Sequence, residues 1–150
     1  MSTYTQILYH IVFGSKDYTP FLSTENEPIL FAYIAGILKN KSCHSYIVGG
    51  ASNHIHIITH LHPNVALSLV VKDIKIASHK MTLENTKLFS RFPGWQVGYS
   101  AFTYNISAKA NLIRYVENQR EHHMVLSYKE EIIHLLKEHS VDFVDDYLIT

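Results

Sequence analysis

The chain has 150 residues, of which 47% are hydrophobic and 17% charged, with six glycines and four prolines. This composition excludes disordered, collagen-like and linker-rich chains, and the length predicts one domain over residues 1–150. The sequence lacks both the apolar run of roughly 18 residues that a membrane span needs and the basic flank of a secretion signal. We therefore expect a soluble cytoplasmic protein that does not bind membranes, and the single cysteine, Cys43, argues against redox chemistry.

The formal net charge is zero, but the charges are unevenly distributed along the chain. Residues 1–120 carry 11 basic and 6 acidic side chains, whereas residues 121–150 carry 2 basic and 7 acidic ones. A basic body with an acidic end is a distribution that can accompany nucleic-acid binding.

The first half of the chain predicts a strand, a helix and a hairpin. Alternation of apolar and mixed positions predicts a strand over residues 6–13. Thr24 and Glu27 have capping-box spacing, and the apolar residues after them recur at helical spacing up to Asn40. Two further runs, on either side of the turn-rich segment 49–53, predict strands that pair as a hairpin.

The second half predicts a helix, a strand and two more helices. Apolar residues from Leu67 to Met81 recur on one side of a long amphipathic helix, and alternation over residues 101–106 predicts a fourth strand. Ser107 and Ser127 stand where N-caps of two C-terminal helices would be. This order predicts an α+β, ferredoxin-like (split βαβ) antiparallel sheet with helices on one face and a C-terminal helical extension. The other face of the sheet would be free for a site.

The third predicted strand carries a histidine pair on that free face. Because side chains alternate along a strand, His54 and His56 share one face and lie close enough to bind a single divalent cation. Taken alone, two polar residues on an exposed strand face are an equally good interpretation of the pair.

The first C-terminal helix places Tyr115 and Gln119 one turn apart, beside its buried stripe. Gln119 can therefore reach the place occupied by the Tyr115 hydroxyl. On spacing alone, Tyr115 is also consistent with a boundary tyrosine whose hydroxyl is solvated.

Three segments of the chain together closely resemble the single-tyrosine HUH transposases of small bacterial insertion sequences. They are His54-Ile55-His56, the aromatic region of residues 94–96 and 98–104, and the Tyr-x-x-x-Gln-x-x-His-His element that begins at Tyr115. The resemblance covers nearly the whole chain. It implies a ferredoxin-like fold and a dimer that binds DNA hairpins.

The resemblance also implies a role for each of four residues. His54, His56 and Gln119 match the ligands that hold Mg²⁺ or Mn²⁺, and Tyr115 matches the nucleophile that forms a 5′-phosphotyrosine. One departure is Asn53, because many relatives have an aspartate just before the first histidine. Such a partner orients a metal ligand, so the departure bears on metal affinity.

This chemistry is coherent on physical grounds. A tyrosine has a pKa near 10 and needs a neighbouring cation to favour the phenolate and to polarise the phosphate. A phosphotyrosine keeps the energy of the phosphodiester bond, so no nucleotide cofactor is expected. The sequence agrees, since it lacks a Gly-rich phosphate loop followed by Lys-Ser or Lys-Thr.

The second predicted helix and the loop after it carry a net charge of +3 between residues 72 and 91. A phosphate track and an ordinary solvated helix face are equally good interpretations of this charge. The candidate DNA contacts are Lys72, Lys75, Lys80, Lys87 and Arg91.

The sequence therefore predicts a metal-dependent transposase, a single-strand endonuclease and strand transferase that cuts and rejoins single-stranded DNA at hairpin-flanked ends. Two alternatives stay open. One is a domesticated or inactive relative that only binds hairpin DNA. The other is a single-stranded RNA-binding module, because RNA-recognition domains share this fold plan.

Overall fold

A four-stranded antiparallel sheet in the order β2-β3-β1-β4 is the centre of the computed structural model, which describes residues 2–145 and 148. Its strands are β1 (Leu8–Gly14), β2 (His44–Ala51), β3 (His54–His60) and β4 (Ser100–Tyr104). This order is that of the split βαβ plan, and the predicted fold class is confirmed.

Two helices, α1 (Glu27–Asn40) and α2 (Leu67–Glu84), pack against one face of the sheet. Alternate residues of β1 and β3 point towards them because side chains alternate along a strand. The resulting core is fully buried and includes Ile11, Phe13, Ile55, Ile57, Leu30, Ile34, Val70 and Ile74.

Three helices cover the opposite face, which the sequence analysis left free. They are α3 (Lys109–Glu117), α4 (Gln119–Val125) and α5 (Tyr128–Glu138). The apolar stripes of α3 and α5 can be buried only against another apolar surface, and this face offers one. Two clusters result, one of Val12, Phe102, Ile132, Leu135 and Leu136, and one of Leu8, Ile58, Leu112 and Val116. The expectation of an open face is therefore wrong, since the C-terminal extension closes it.

The helix ends agree with the sequence in part. Ser127 caps α5 as predicted, since its side chain accepts a hydrogen bond from the Glu130 amide. The capping box of Thr24 does not form, because Ser23 and Asn26 bond each other's backbone amides there. The helix predicted after Ser107 is broken at one residue between α3 and α4. In the described part of the chain, none of the helices is both long enough and apolar enough to cross a bilayer.

Candidate active site and metal centre

The sheet aligns the histidine pair beneath the C-terminal helices. In the antiparallel register of β1 and β3, Gly14 lies opposite His54 and Val12 opposite His56. A Cβ atom on Gly14 would lie 2.7 Å from the ring of Tyr128, so the missing side chain lets α5 approach the sheet. The Tyr128 ring then stacks on His54 with centroids 4.5 Å apart. The two histidines share one face as predicted, but they are buried rather than exposed.

Polar atoms from β3, α3 and α4 converge on one carboxylate of α5, that of Glu131. Its Oε1 atom lies 3.2 Å from His54 Nε2 and 3.3 Å from His56 Nε2. Its Oε2 atom accepts hydrogen bonds from Gln119 Nε2 at 2.9 Å and from the Tyr115 hydroxyl. Within one chain, the structure thus brings together the four residues that the sequence predicts for the site. They surround a fifth residue, Glu131.

Glu131 is the residue that the sequence analysis missed. It lies on α5 in the buried stripe with Tyr128, Ile132 and Leu135, and it is 4% exposed. The i, i+3, i+4, i+7 pattern of these positions could have shown it, because a carboxylate inside an apolar stripe needs a buried partner.

The hydrogen bonds of His54 favour a proton or a metal ion between its Nε2 atom and the oxygens of Gln119 and Glu131. Asn53 Oδ1 lies 2.8 Å from His54 Nδ1, and Asn53 Nδ2 donates to the Tyr18 carbonyl, which fixes the amide orientation. His54 therefore donates its Nδ1 proton to Asn53. Its Nε2 atom faces oxygens as well, at 2.9 Å from Gln119 Oε1 and 3.2 Å from Glu131 Oε1. A proton or a metal ion at Nε2 would satisfy this arrangement.

The donor spacing fits a divalent cation. Ligand atoms of His54, His56 and Glu131 all lie within 4.8 Å of one another. At metal–ligand distances of about 2.0–2.1 Å, adjacent donors lie about 2.8–3.0 Å apart in an octahedron and about 3.3–3.4 Å apart in a tetrahedron. The distance from His54 Nε2 to Gln119 Oε1, 2.9 Å, and those from the two histidine Nε2 atoms to Glu131 Oε1, 3.2 and 3.3 Å, lie within that range. Glu131 adds a negative charge that a set of two histidines and a glutamine lacks.

The site holds the tyrosine neutral and the carboxylate charged. Burial alone would raise the pKa of Glu131, but hydrogen bonds from His54 and His56 hold it well below its usual range. Burial and the Glu131 charge raise the pKa of Tyr115 far above its usual value. Burial lowers the pKa of His56, although Glu131 opposes this shift. In this arrangement Tyr115 is a hydrogen-bond donor and a poor nucleophile, and a nearby cation would favour its phenolate.

Asn53 occupies the position at which the sequence departs from the resembled family. Its amide oxygen accepts the Nδ1 proton of His54, so it performs the orienting contact that a carboxylate would make. The difference from an aspartate is one of charge, not of geometry.

The five candidate DNA contacts lie on α2 and in the loop after it, across the sheet from the histidines. Four of them, Lys72, Lys80, Lys87 and Arg91, are exposed. Lys75 differs, because its ammonium donates to the Gln96 carbonyl at 2.9 Å and to the Gly98 carbonyl. It also lies over the Phe13 ring, 5.2 Å from the centroid. Lys75 is thus held in contacts within the fold.

Comparison with known proteins identifies the family of the chain. Residues 3–119 match the model of a family described as IS200-like transposases. The chain belongs to this family. This IS200-like transposase also resembles a chain assigned as a transposase from Deinococcus radiodurans R1, with a TM-score of 0.61 and 20% identity over 80% of this chain and 96% of that one. No curated protein matched the sequence.

A second solved structure is that of the REP-associated tyrosine transposase bound to a REP hairpin. It has a TM-score of 0.56 and 17% identity, over 79% of the IS200-like chain and 72% of its own. At these identities both likenesses show the fold alone. The family match ends at Gln119, so nearly all of α4, the whole of α5 and the Glu131 carboxylate lie beyond it.

Proposed function

We propose that this transposase is a metal-dependent enzyme that cuts and rejoins single-stranded DNA with Tyr115 as its nucleophile. The observation that carries the proposal is the single carboxylate of Glu131, which joins the Tyr115 hydroxyl to both histidines. Membership in the transposase family supports a DNA-cleaving enzyme over an RNA-binding module. His54, His56, Gln119 and Glu131 would hold the cation. The family resemblance implies Mg²⁺ or Mn²⁺, ions that suit the carboxylate and amide oxygens of this set.

A bound cation supplies two things: it neutralises charge on the scissile phosphate and favours the phenolate of a neighbouring tyrosine. The Tyr115 oxygen then forms a bond to phosphorus as the bond from phosphorus to the 3′ oxygen breaks. The 3′ oxygen takes up a proton, which balances the one that Tyr115 loses, and leaves as a hydroxyl, while the 5′ phosphate stays on Tyr115. Glu131 accepts a hydrogen bond from the Tyr115 hydroxyl, so attack by Tyr115 on a phosphate requires that this hydrogen bond break.

DNA with hairpins is the proposed substrate. The REP-associated relative is described as bound to a hairpin, and the exposed cations Lys72, Lys80, Lys87 and Arg91 would contact phosphates away from the scissile bond. We further propose that the protein works as a homodimer on cytoplasmic DNA and needs no nucleotide cofactor.

The decisive experiment is covalent capture of single-stranded DNA. The probe is DNA flanking the protein's own gene, incubated with Mn²⁺ and analysed on a denaturing gel. Wild type is expected to form an adduct, and Tyr115→Phe to form none, because only the attacking oxygen is removed. Tyr99→Phe is the matched control, since Tyr99 lies in the loop before β4, outside the polar cluster. An adduct of undiminished yield in Tyr115→Phe would refute the assignment.

The metal is tested in the same assay. His54→Ala, His56→Ala or excess chelator should abolish the adduct, and added Mg²⁺ or Mn²⁺ should reverse chelation only. Cleavage that persists in excess chelator would exclude the metal-dependent mechanism. Hairpin binding without an adduct under any condition would instead identify a relative that only binds DNA.

A further inference from the structure

A third histidine, His10, is buried beside the pair and has no place in the proposed donor set. It lies on β1, on the same face of the sheet as His54 and His56, and it is 0% exposed. Its Nε2 atom lies 2.7 Å from His56 Nδ1, and the two rings stack with centroids 4.9 Å apart. Within the described residues, the other nitrogen, His10 Nδ1, has no hydrogen-bond partner.

This burial carries a cost that an apolar side chain would avoid. The neighbours of His10 on the same face of β1 are Leu8 and Val12, and a buried nitrogen without a hydrogen-bond partner destabilises the fold. Packing therefore does not explain a histidine at this position. The contact with His56 is the feature that an apolar residue could not provide.

Two neutral imidazoles at this distance share one proton, and its position decides which nitrogen of His56 is free. In the arrangement described, His56 Nε2 faces the Glu131 carboxylate at 3.3 Å, so it carries the proton and donates it. His56 Nδ1 is then an acceptor, and His10 donates to it. To bind a cation, His56 Nε2 must lose its proton, and a neutral ring must then carry the proton on Nδ1.

We propose that His10 is a positioning residue of the metal centre, which reverses its hydrogen bond to His56 when a cation binds. In the metal-free protein His10 Nε2 donates to His56 Nδ1, and in the metal-loaded protein it accepts from it. The proton of His10 then lies on Nδ1, the nitrogen without a partner. This inference rests on the proposed metal-dependent function.

An imidazole at position 10 suits this reversal better than an amide oxygen, such as the one that Asn53 offers to His54. Asn53 Oδ1 can only accept, which fits a ring that holds its Nδ1 proton throughout. His10 can accept or donate, and it holds the His56 ring in place in both states. It does so without adding a formal charge to a centre that already contains the Glu131 carboxylate.

The test measures metal binding and tautomers in the full chain. Mn²⁺ affinity, read from the electron paramagnetic resonance signal of the free ion, should fall about 10–100-fold in His10→Phe. His10→Gln should recover most of it, because an amide can also accept or donate. His44→Phe is the matched control, since His44 is exposed on β2, and its affinity should equal that of wild type. Thermal unfolding of each variant establishes that it is folded.

Nitrogen NMR of the wild-type imidazoles tests the same idea without a substitution. Addition of Mg²⁺ should move the His56 proton from Nε2 to Nδ1 and that of His10 from Nε2 to Nδ1. Unchanged tautomers in the metal-loaded protein, or a folded His10→Phe variant with wild-type affinity, would overturn the proposal. If wild type binds Mn²⁺ no better than His56→Ala does, the metal centre itself fails, and this inference fails with it.

Discussion

Acidification of the metal-free protein should destabilise the fold, and His10 contributes to this through its lowered pKa. Burial holds the pKa of His10 well below its usual range, and His56 and His139 lower it further, while Glu131 opposes them. In the unfolded chain a histidine titrates near pH 6.5. Below that pH the unfolded state binds a proton that the folded state does not, so stability is present above pH 6.5 and is lost as the pH falls.

The size of the effect follows from this linkage. With no protonation of His10 in the folded state, the free energy of unfolding falls by about 1.4 kcal/mol between pH 7.5 and pH 5.5. His56, whose pKa burial also lowers, adds up to the same amount. Glu131 contributes nothing in this window, because its depressed pKa affects stability only below the pH at which a free glutamate titrates.

Urea unfolding in excess chelator at the two pH values, followed by circular dichroism, measures the loss. The comparison of wild type with His10→Phe isolates one histidine, and the variant should lose about 1.4 kcal/mol less on acidification. In a thermal melt this corresponds to about 3–6 °C in Tm for a chain of this length. Equal pH dependence in the two proteins would refute the argument that His10 stays neutral in the fold.

Four further perturbations test the donor set, two lysines and the assembly of the site. Glu131→Gln removes the charge from the donor set and should weaken Mn²⁺ binding at least about tenfold by calorimetry, whereas an unchanged affinity would mean that Glu131 is not a ligand. Lys75→Met should lower the free energy of unfolding by about 1–3 kcal/mol, because its amine bonds two carbonyls. Lys80 is exposed, so Lys80→Met should change the free energy of unfolding by less than about 0.5 kcal/mol but reduce the salt dependence of DNA binding. Equal losses of stability in Lys75→Met and Lys80→Met would contradict this expectation. Since one chain holds the whole cluster, a mixture of Tyr115→Phe and His54→Ala should not regain adduct formation, and a regained adduct would show that dimers share their sites.

The sheet and much of the cluster could be predicted because they depend on local periodicity. Period two fixes His54 and His56 on one face. Tyr115 and Gln119, four residues apart, both bond Glu131, although the helix breaks at Asn118 between them. The chemistry of those four residues was reached through their resemblance to a family, and the structure adds their proximity.

The parts that the sequence did not predict depend on contacts between distant segments. Glu131 lies in the first turn of α5, four residues after the capping residue Ser127, and the local sequence does not indicate that α5 will fold back over β3. His10 lies on a strand face whose residues are of mixed polarity, and its hydrogen-bond partner, His56, is 46 residues away in the sequence. Lys75 was predicted to contact phosphate, because the sequence shows the charge of a lysine but not whether its amine is bound to backbone carbonyls.

The end of the family match at Gln119 divides the candidate site between two segments of the chain. The family match contains the histidines, the glutamine and the tyrosine, whereas the carboxylate comes from a segment 12 residues further on. In the proposed metal centre, replacement of Glu131 by a neutral residue would alter the charge and the donor set and leave the histidines, the glutamine and the tyrosine intact. Two such transposases could then differ in metal preference or turnover although their shared motifs read the same, and chimaeras joined at this boundary would make that variation accessible to engineering.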